Sequence, residues 1–180
     1  MSFVIATLYK NQIIMASDGQ VSATDTLEIV DNNYKKIRRF ENFIIGYTGC
    51  KEYCEFILDN ISYNSSTEDA IDLIKNIMII NGTSNSSKMI IAGKYQNKNA
   101  LINIDSNFPN NYSVTFEKDN DLQYAYGGSE YLDDKVAGPM IYNCFVSNFH
   151  IGLENILKLV ICEISKIDQT VNDTIFVEKM

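Results

Sequence analysis

The order of the apolar segments is the feature that most restricts the fold of this chain. Short apolar runs typical of strands come in groups, and segments with the helical period come in pairs. The resulting order is strands, two helices, strands, two helices, strand. An alternating order would favour a parallel sheet, whereas this grouped order favours two sheets packed face to face with a helix pair outside each. The sequence therefore predicts an α+β fold, a four-layer αββα sandwich.

The strands and helices are read from hydrophobic period and turn residues. A tight hairpin at Lys10 and Asn11 joins the first two strands. Strands are predicted at residues 3–9, 12–17, 35–39, 43–47, 88–92, 99–104, 122–126 and 174–178, with 122–126 grouped beside the two strands before it. Helices are predicted from Lys51 to Asn60, from an N-cap at Ser66–Asp69 to Ile77, and over 130–149 and 151–167. Pro139 is expected to kink or divide the third helix.

Composition narrows the class of protein. The 180 residues contain no linker or internal repeat, which predicts one domain over residues 1–180. Fifteen basic against 23 acidic residues give a net charge of −8, which argues against nucleic-acid and anionic-membrane partners. No apolar window is long enough for a membrane span and no signal-peptide core is present, so a cytoplasmic location is expected.

A single histidine restricts the catalytic chemistry and the metal chemistry. The four cysteines form no CxxC pair, and with only His150 to join them neither a structural zinc site nor any other metal or cofactor is expected. His150 stands between two predicted helices, where a surface or capping role is expected. Any hydrolase built on this chain is therefore expected to use a base other than histidine.

Ser2 offers such a base. Removal of Met1, which is favoured by a small second residue, would place a hydroxyl and a free α-amine on one residue. An α-amine has a pKa of about 7.7 to 8.0, close to the optimum for a general base near neutral pH. The hairpin brings Asp18 beside the first strand, and alternation places Tyr34, Lys36 and Arg38 on one side of the next strand. Either a lysine pairs with Asp18 in the interior, or this is a solvated basic strand with Asp18 as a turn residue.

Several segments resemble proteasome β-type subunits, and most closely the bacterial HslV type. The specific ones are Asp18-Gly19-Gln20-Val21-Ser22 and the segment from Lys35 to Arg39, and weaker likeness covers nearly the whole chain. This family has an αββα fold and an N-terminal nucleophile. The resemblance implies an enzyme, a peptidase acting on peptides or unfolded proteins inside a homo-oligomeric ring, with an ATP-dependent unfoldase as a possible partner.

The resemblance also implies roles for individual residues. Ser2 matches the nucleophile, Asp18 and Lys36 the catalytic pair, Gly49 the oxyanion-hole glycine, and Asp168 the late aspartate that helps to order the N-terminus.

The sequence departs from the family pattern at four places. The nucleophile is serine instead of threonine, Cys50 follows Gly49, and residues 170–173 replace a Ser-Gly-Gly motif. The auxiliary serine is either replaced by Gly128 or supplied by Ser129 after a one-residue shift. Two alternatives therefore stand beside the peptidase: an inactive assembly protein, for example one that keeps Met1, and a small-molecule amidohydrolase of the same fold.

Overall fold

Two antiparallel sheets form the centre of the structure, a computed structural model that describes residues 2–23, 26–81, 86–129 and 131–180. The first sheet has the order β10-β1-β2-β11 and the second the order β5-β6-β7-β8-β9. Their strands are β1 Val4–Tyr9, β2 Gln12–Asp18, β5 Ile37–Arg39, β6 Phe43–Gly49, β7 Ser87–Tyr95, β8 Lys98–Asp105, β9 Ser113–Phe116, β10 Gln123–Gly127 and β11 Ile175–Lys179. A small hairpin, β3 Val21–Ser22 and β4 Ile29–Asp31, lies apart from both.

A helix pair covers the outer face of each sheet. The helices are α1 Lys51–Asp59, α2 Thr67–Asn81, α3 Asp134–Asn148 and α4 Leu153–Ile164, with a 3₁₀ turn at Phe149–Ile151. One buried cluster joins the second sheet to α1 and α2, another joins the first sheet to α3 and α4, and a third fills the space between the sheets. The protein is thus an αββα sandwich, and the predicted fold class is confirmed.

Both faces of the central strands are buried, and this explains their apolar runs. On β1, Val4 and Ala6 pack against the opposite sheet, while Ile5 packs against the helices. At Gly46 the two sheets come so close that a Cβ atom would lie 2.5 Å from Val4 Cγ2 and 2.7 Å from Met15 Sδ. Glycine on β6 therefore lets the sheets meet at the end of β1 that follows Ser2.

Several local predictions are confirmed. Lys10 and Asn11 have φ values of 49° and 61°, the left-handed geometry of a tight β-hairpin. Ser66 caps α2, because its Oγ accepts a hydrogen bond from the Asp69 N–H at 3.1 Å. His150 is exposed in the 3₁₀ turn between α3 and α4, as expected of an inter-helix corner.

Other predictions were wrong in position. The strand at 122–126 does not extend the second sheet: β10 pairs with β1, and β9, which was not predicted, borders β8 instead. The short strands β3 and β4 were also not predicted. Helix α3 begins at Asp134, because Asp133 caps it by accepting from the Lys135 N–H, whereas Glu130 lies outside the described residues.

Pro139 does not divide α3. The helix runs without interruption from Asp134 to Asn148, although proline removes one backbone donor in its interior. Ala137 and Ile141, on either side of the proline, are both fully buried in the cluster against the first sheet. Packing of this face stabilises the helix at the position where the backbone hydrogen bond is missing. Within the described residues, no helix is long and apolar enough to cross a membrane.

Candidate active site

The β1–β2 hairpin brings the start of the first strand beside the end of the second. Val4 pairs with Ser17, and two hydrogen bonds extend the pairing beyond it. The Phe3 N–H donates to Asp18 Oδ1 at 2.8 Å, and the Asp18 N–H donates to the Phe3 carbonyl at 3.2 Å. Asp18 therefore fixes the backbone of the residue that follows Ser2, and Ser2 itself is buried.

Lys36 forms a buried ion pair with Asp18. Its Nζ lies 2.7 Å from Asp18 Oδ1, and the two side chains are 3% and 0% exposed. The second carboxylate oxygen, Oδ2, accepts a hydrogen bond from the Gln20 N–H at 2.9 Å. Both oxygens of Asp18 are thus engaged, and the alternative of a solvated lysine with a turn aspartate is wrong for these two residues.

Burial displaces the pKa values of this pair toward the neutral forms. Loss of solvation lowers the pKa of Lys36 below that of an ordinary lysine, and the charge of Asp18 opposes the change. Burial likewise raises the pKa of Asp18, against the lowering effects of Lys36 and of the backbone N–H groups of Phe3 and Gln20. Such a pair costs desolvation energy and is typical of functional sites.

The alternation predicted for residues 34–39 agrees with the contacts. Tyr34 and Arg38 both reach Glu55 on α1, and the Tyr34 hydroxyl donates to its Oε1 at 2.7 Å. On the opposite side, Lys35 pairs with Glu178 of β11. Lys36 directly precedes β5, and its buried side chain contacts Asp18 of the first sheet, whereas Tyr34 and Arg38 contact α1.

Gly49 ends β6 beside Ser2. Its φ of +107° favours glycine, and a Cβ atom there would lie 2.3 Å from the Ser86 carbonyl oxygen. A recess of about 10 Å³, room for roughly one water molecule, brings Gly49 together with Ser2 and Lys36. Its lining residues are Ser2, Val21, Tyr34, Lys36, Tyr47, Gly49 and Lys51. Four predicted residues, Asp18 included, therefore converge at one end of the sandwich.

Ser129 and Asp168 form a second cluster. The Ser129 hydroxyl donates to Asp168 Oδ2 at 2.6 Å, and the Thr170 hydroxyl donates to Oδ1 at 2.6 Å. Asp168 and Thr170 are buried. Ser129 is one of the two positions considered for the auxiliary serine, and its hydroxyl binds this aspartate. The other position, Gly128, lies against the side chain of Leu132. The side-chain hydrogen bonds of Asp168 run to Ser129 and Thr170.

Gln20 connects the two clusters, and the sequence interpretation gave it no role. Its N–H binds Asp18, and its buried side chain donates to the Gln169 carbonyl at 2.9 Å. Asn172 adds a parallel link, because its Oδ1 accepts from the Gly19 N–H at 2.9 Å. Only the place of Gln20 within a segment of family resemblance, directly after Asp18-Gly19, could have drawn attention to it.

We expect Thr170→Val to destabilise the protein by about 1.5–3 kcal/mol, because it removes a hydrogen bond to a buried carboxylate without changing the side-chain volume much. Urea unfolding measures the effect. Thr115→Val, on β9 and away from this cluster, is the matched control and should change the midpoint little. Equal stability of the two variants would contradict a structural role for the Thr170 hydroxyl.

The cysteines take no part in this site. All four are free thiols. Cys50 is the N-cap residue of α1, and Cys54 lies within the helix. Burial raises the pKa of the Cys54 thiol to about 12. Among the residues that the structure describes, no group of three histidine, cysteine or acidic side chains could hold a metal ion.

Layer order and sheet topology define the fold class of this chain. The chain has the proteasome-like fold of N-terminal nucleophile hydrolases.

Two solved structures show the same architecture. Eukaryotic HslV from Trypanosoma brucei is 13% identical with a TM-score of 0.66, and the match covers 98% of each chain. Anbu (ancestral beta-subunit) from Yersinia bercovieri is 12% identical with a TM-score of 0.68, over 98% of this chain and 80% of that one. Comparison of the sequence with protein-family models and with curated proteins found no match. At such identity the likeness concerns the fold.

Proposed function

We propose that this protein is a peptidase whose nucleophile is Ser2, exposed as the N-terminal residue by removal of Met1. The observation that carries the proposal is the buried Asp18–Lys36 pair, because Asp18 also binds the N–H of Phe3, the residue after Ser2. A buried ion pair contributes little net stability and is expensive to form. Its position beside the backbone of Phe3 supports a role in activating Ser2.

The chemistry needs no residue beyond this site. The α-amine of Ser2 takes the proton from its own hydroxyl as Oγ attacks the peptide carbonyl, and it then passes that proton to the leaving amine. The resulting ester is hydrolysed by a water molecule, whose proton returns to Ser2 Oγ through the amine. Lys36 lowers the pKa of the hydroxyl by its positive charge, held in place by Asp18. The Gly49 N–H stabilises the oxyanion, an interaction typically worth about 3–4 kcal/mol.

Ser129 and Asp168 position this end of the sandwich. Asp168 accepts hydrogen bonds from Ser129 and Thr170. The side chain of Gln20, whose N–H binds Asp18, donates to the carbonyl of Gln169, the residue after Asp168. In the proposed enzyme this network keeps Asp18, and through it the start of β1, in a fixed place. Precise placement of the nucleophile is a large part of catalysis.

The proposed unit of activity is a homo-oligomeric ring in the cytoplasm, with peptides or unfolded proteins as substrates and an ATP-dependent unfoldase as the partner. The sequence resemblance and the shared fold support the ring, because such rings are built from head-to-tail contacts between identical subunits. The four free thiols agree with a reducing compartment.

Intact mass and peptide hydrolysis test the proposal together. We expect the purified chain to lack Met1 and to hydrolyse short fluorogenic peptides, with a rate that rises with pH as the α-amine loses its proton near pH 7.7 to 8.0. Size-exclusion chromatography with light scattering should show a ring. A chain that keeps Met1 and is inert supports the assembly protein instead, and hydrolysis of small amides but not peptides supports the amidohydrolase.

Cleavage is expected after small residues. The recess beside Ser2 holds about 10 Å³, and Tyr47, one of its lining residues, is fixed through its hydroxyl to Glu55. Peptides that differ only on the acyl side of the scissile bond measure this preference, and alanine should be preferred to leucine and phenylalanine by about 10-fold or more in kcat/KM, as one to two unfavourable methylene-sized contacts would give. Equal rates for alanine and phenylalanine would refute this prediction.

A further inference from the structure

An open cleft of about 670 Å³ lies at the end of the sandwich opposite Ser2. Strand β1 leads from the residues beside Ser2 to Tyr9, and the hairpin turn at Lys10 and Asn11 forms one wall of the cleft. The β7–β8 turn at Asn97 forms another wall, and the segment at Asn120 forms a third. Three turns thus surround a space that the proposed peptidase does not use.

Four lysines line this cleft although the chain carries a net charge of −8. They are Lys10, Lys94, Lys98 and Lys118. Across the described part of the chain, none of the four has a carboxylate within the 4.0 Å of an ion pair, whereas Lys35, Lys158 and Lys166 each do. Lys10 and Lys98 lie over the rings of Tyr9 and Phe116 instead. Like charges without a carboxylate partner repel one another, so their concentration in one cleft favours binding of an anion.

The two acidic residues of the cleft do not cancel this charge. Glu117 accepts hydrogen bonds from the Asn11 N–H at 2.5 Å and from Asn99 Nδ2 at 2.9 Å, so its carboxylate joins the first hairpin to β8. Asp119 is exposed at the rim. With four lysines against Glu117 and Asp119, the lining keeps two positive charges in excess.

The walls have a defined backbone. Lys10, Asn11, Asn97 and Asn120 all have φ between 49° and 62°, the left-handed conformation of tight turns. Together with the Glu117 hydrogen bonds, these turns fix the backbone positions from which the lysine side chains extend. Side-chain amides of Asn97 and Asn120 add neutral donors at the same place.

We propose that this cleft binds a small ligand that carries two or more phosphate groups. Its volume lies within the range of about 300–1,000 Å³ that is usual for small-molecule sites. A polyphosphate combines several negative charges with many acceptor oxygens, which matches four ammonium groups and the amide donors around them. A ligand with a single charge would leave most of the lysines unpaired.

Titration calorimetry with inorganic tripolyphosphate at constant ionic strength tests the site. We expect a dissociation constant in the micromolar range for the unaltered chain, weakened at least 10-fold in the double variant Lys94→Gln/Lys98→Gln. The control Lys158→Gln/Lys166→Gln makes the same change of net charge on α4 and just after it, and it should bind as the unaltered chain does. Urea midpoints establish that both variants fold.

Three outcomes would overturn the inference. They are the absence of binding up to millimolar tripolyphosphate, an equal loss of affinity in both double variants, and equally tight binding of citrate, which would show a response to charge without preference for phosphate. Because Ser2 takes no part in this test, the result is independent of the proposed peptidase.

Discussion

Ser2→Ala is expected to lower peptide hydrolysis by a factor on the order of 10⁴ or more, to the rate of the background reaction. The substitution removes the only atom that forms the acyl intermediate and keeps the α-amine, the Asp18–Lys36 pair and the fold. Initial rates with the alanine-containing fluorogenic peptide measure the loss. Alanine is also a small second residue, so Met1 removal should proceed as in the unaltered chain, and intact mass verifies it.

Ser2→Thr is the matched control for this prediction. Threonine keeps both the hydroxyl and the α-amine, and its extra methyl group restricts the χ1 rotamer. We expect the activity of this variant to lie within about 10-fold of that of the serine enzyme. A 10-fold change in rate corresponds to roughly 1.4 kcal/mol in the activation free energy. Undiminished hydrolysis by Ser2→Ala would exclude Ser2 as the nucleophile and leave the fold unaffected.

Lys36→Met is expected to abolish activity and to destabilise the protein by about 3–5 kcal/mol, because it leaves Asp18 as an uncompensated buried charge. Asp18→Asn should have a comparable effect, because it leaves Lys36 as the uncompensated buried charge. It also weakens the hydrogen bond from the Phe3 N–H. Urea unfolding gives the stabilities and the peptide assay gives the rates.

The double variant Asp18→Asn/Lys36→Met separates structure from catalysis. With both charges removed, much of the lost stability should return, since a neutral replacement of a buried ion pair is often close to neutral in free energy. Activity should not return, because no cation remains to lower the pKa of the Ser2 hydroxyl. A stable and active double variant would contradict the role proposed for the pair, whereas Lys35→Met, at the exposed neighbouring lysine, should change little.

Local sequence was sufficient for much of the fold. The hairpin at Lys10 and Asn11, the cap at Ser66 and most apolar strands follow from residues a few positions apart, and the structure confirms them. The partner of β10 could not be found in this way. Ala125 of β10 pairs with Ala6 of β1, which is distant in the chain. The residues of β10 by themselves do not indicate which sheet the strand joins.

The weak strands were missed for a different reason. β3 and β4 have two and three residues, and Ile29 and Val30 are exposed, so no burial pattern marks them. They pair only with each other, in a small hairpin outside the two main sheets.

The site shows the same division. Residue types and family resemblance indicated Ser2, Asp18, Lys36 and Gly49. Strand alternation placed Lys35 and Lys36 on opposite sides of the strand without deciding which of them meets Asp18. Gln20 and Thr170 could not be found from spacing, because each acts through a partner that only folding brings near: Gln20 through the Gln169 carbonyl, and Thr170 through the buried carboxylate of Asp168.

The sequence by itself determined the grouped order of strands and helices, hence the layered class of the fold, and it marked a serine that could carry its own base. Tertiary structure alone decided that Lys36 and Asp18 meet at 2.7 Å without solvent, and that four lysines from three separate segments line one cleft. The physical reason is that hydrophobic period and turn chemistry act between near neighbours in the chain. Desolvation and the convergence of charges depend on which distant segments pack together.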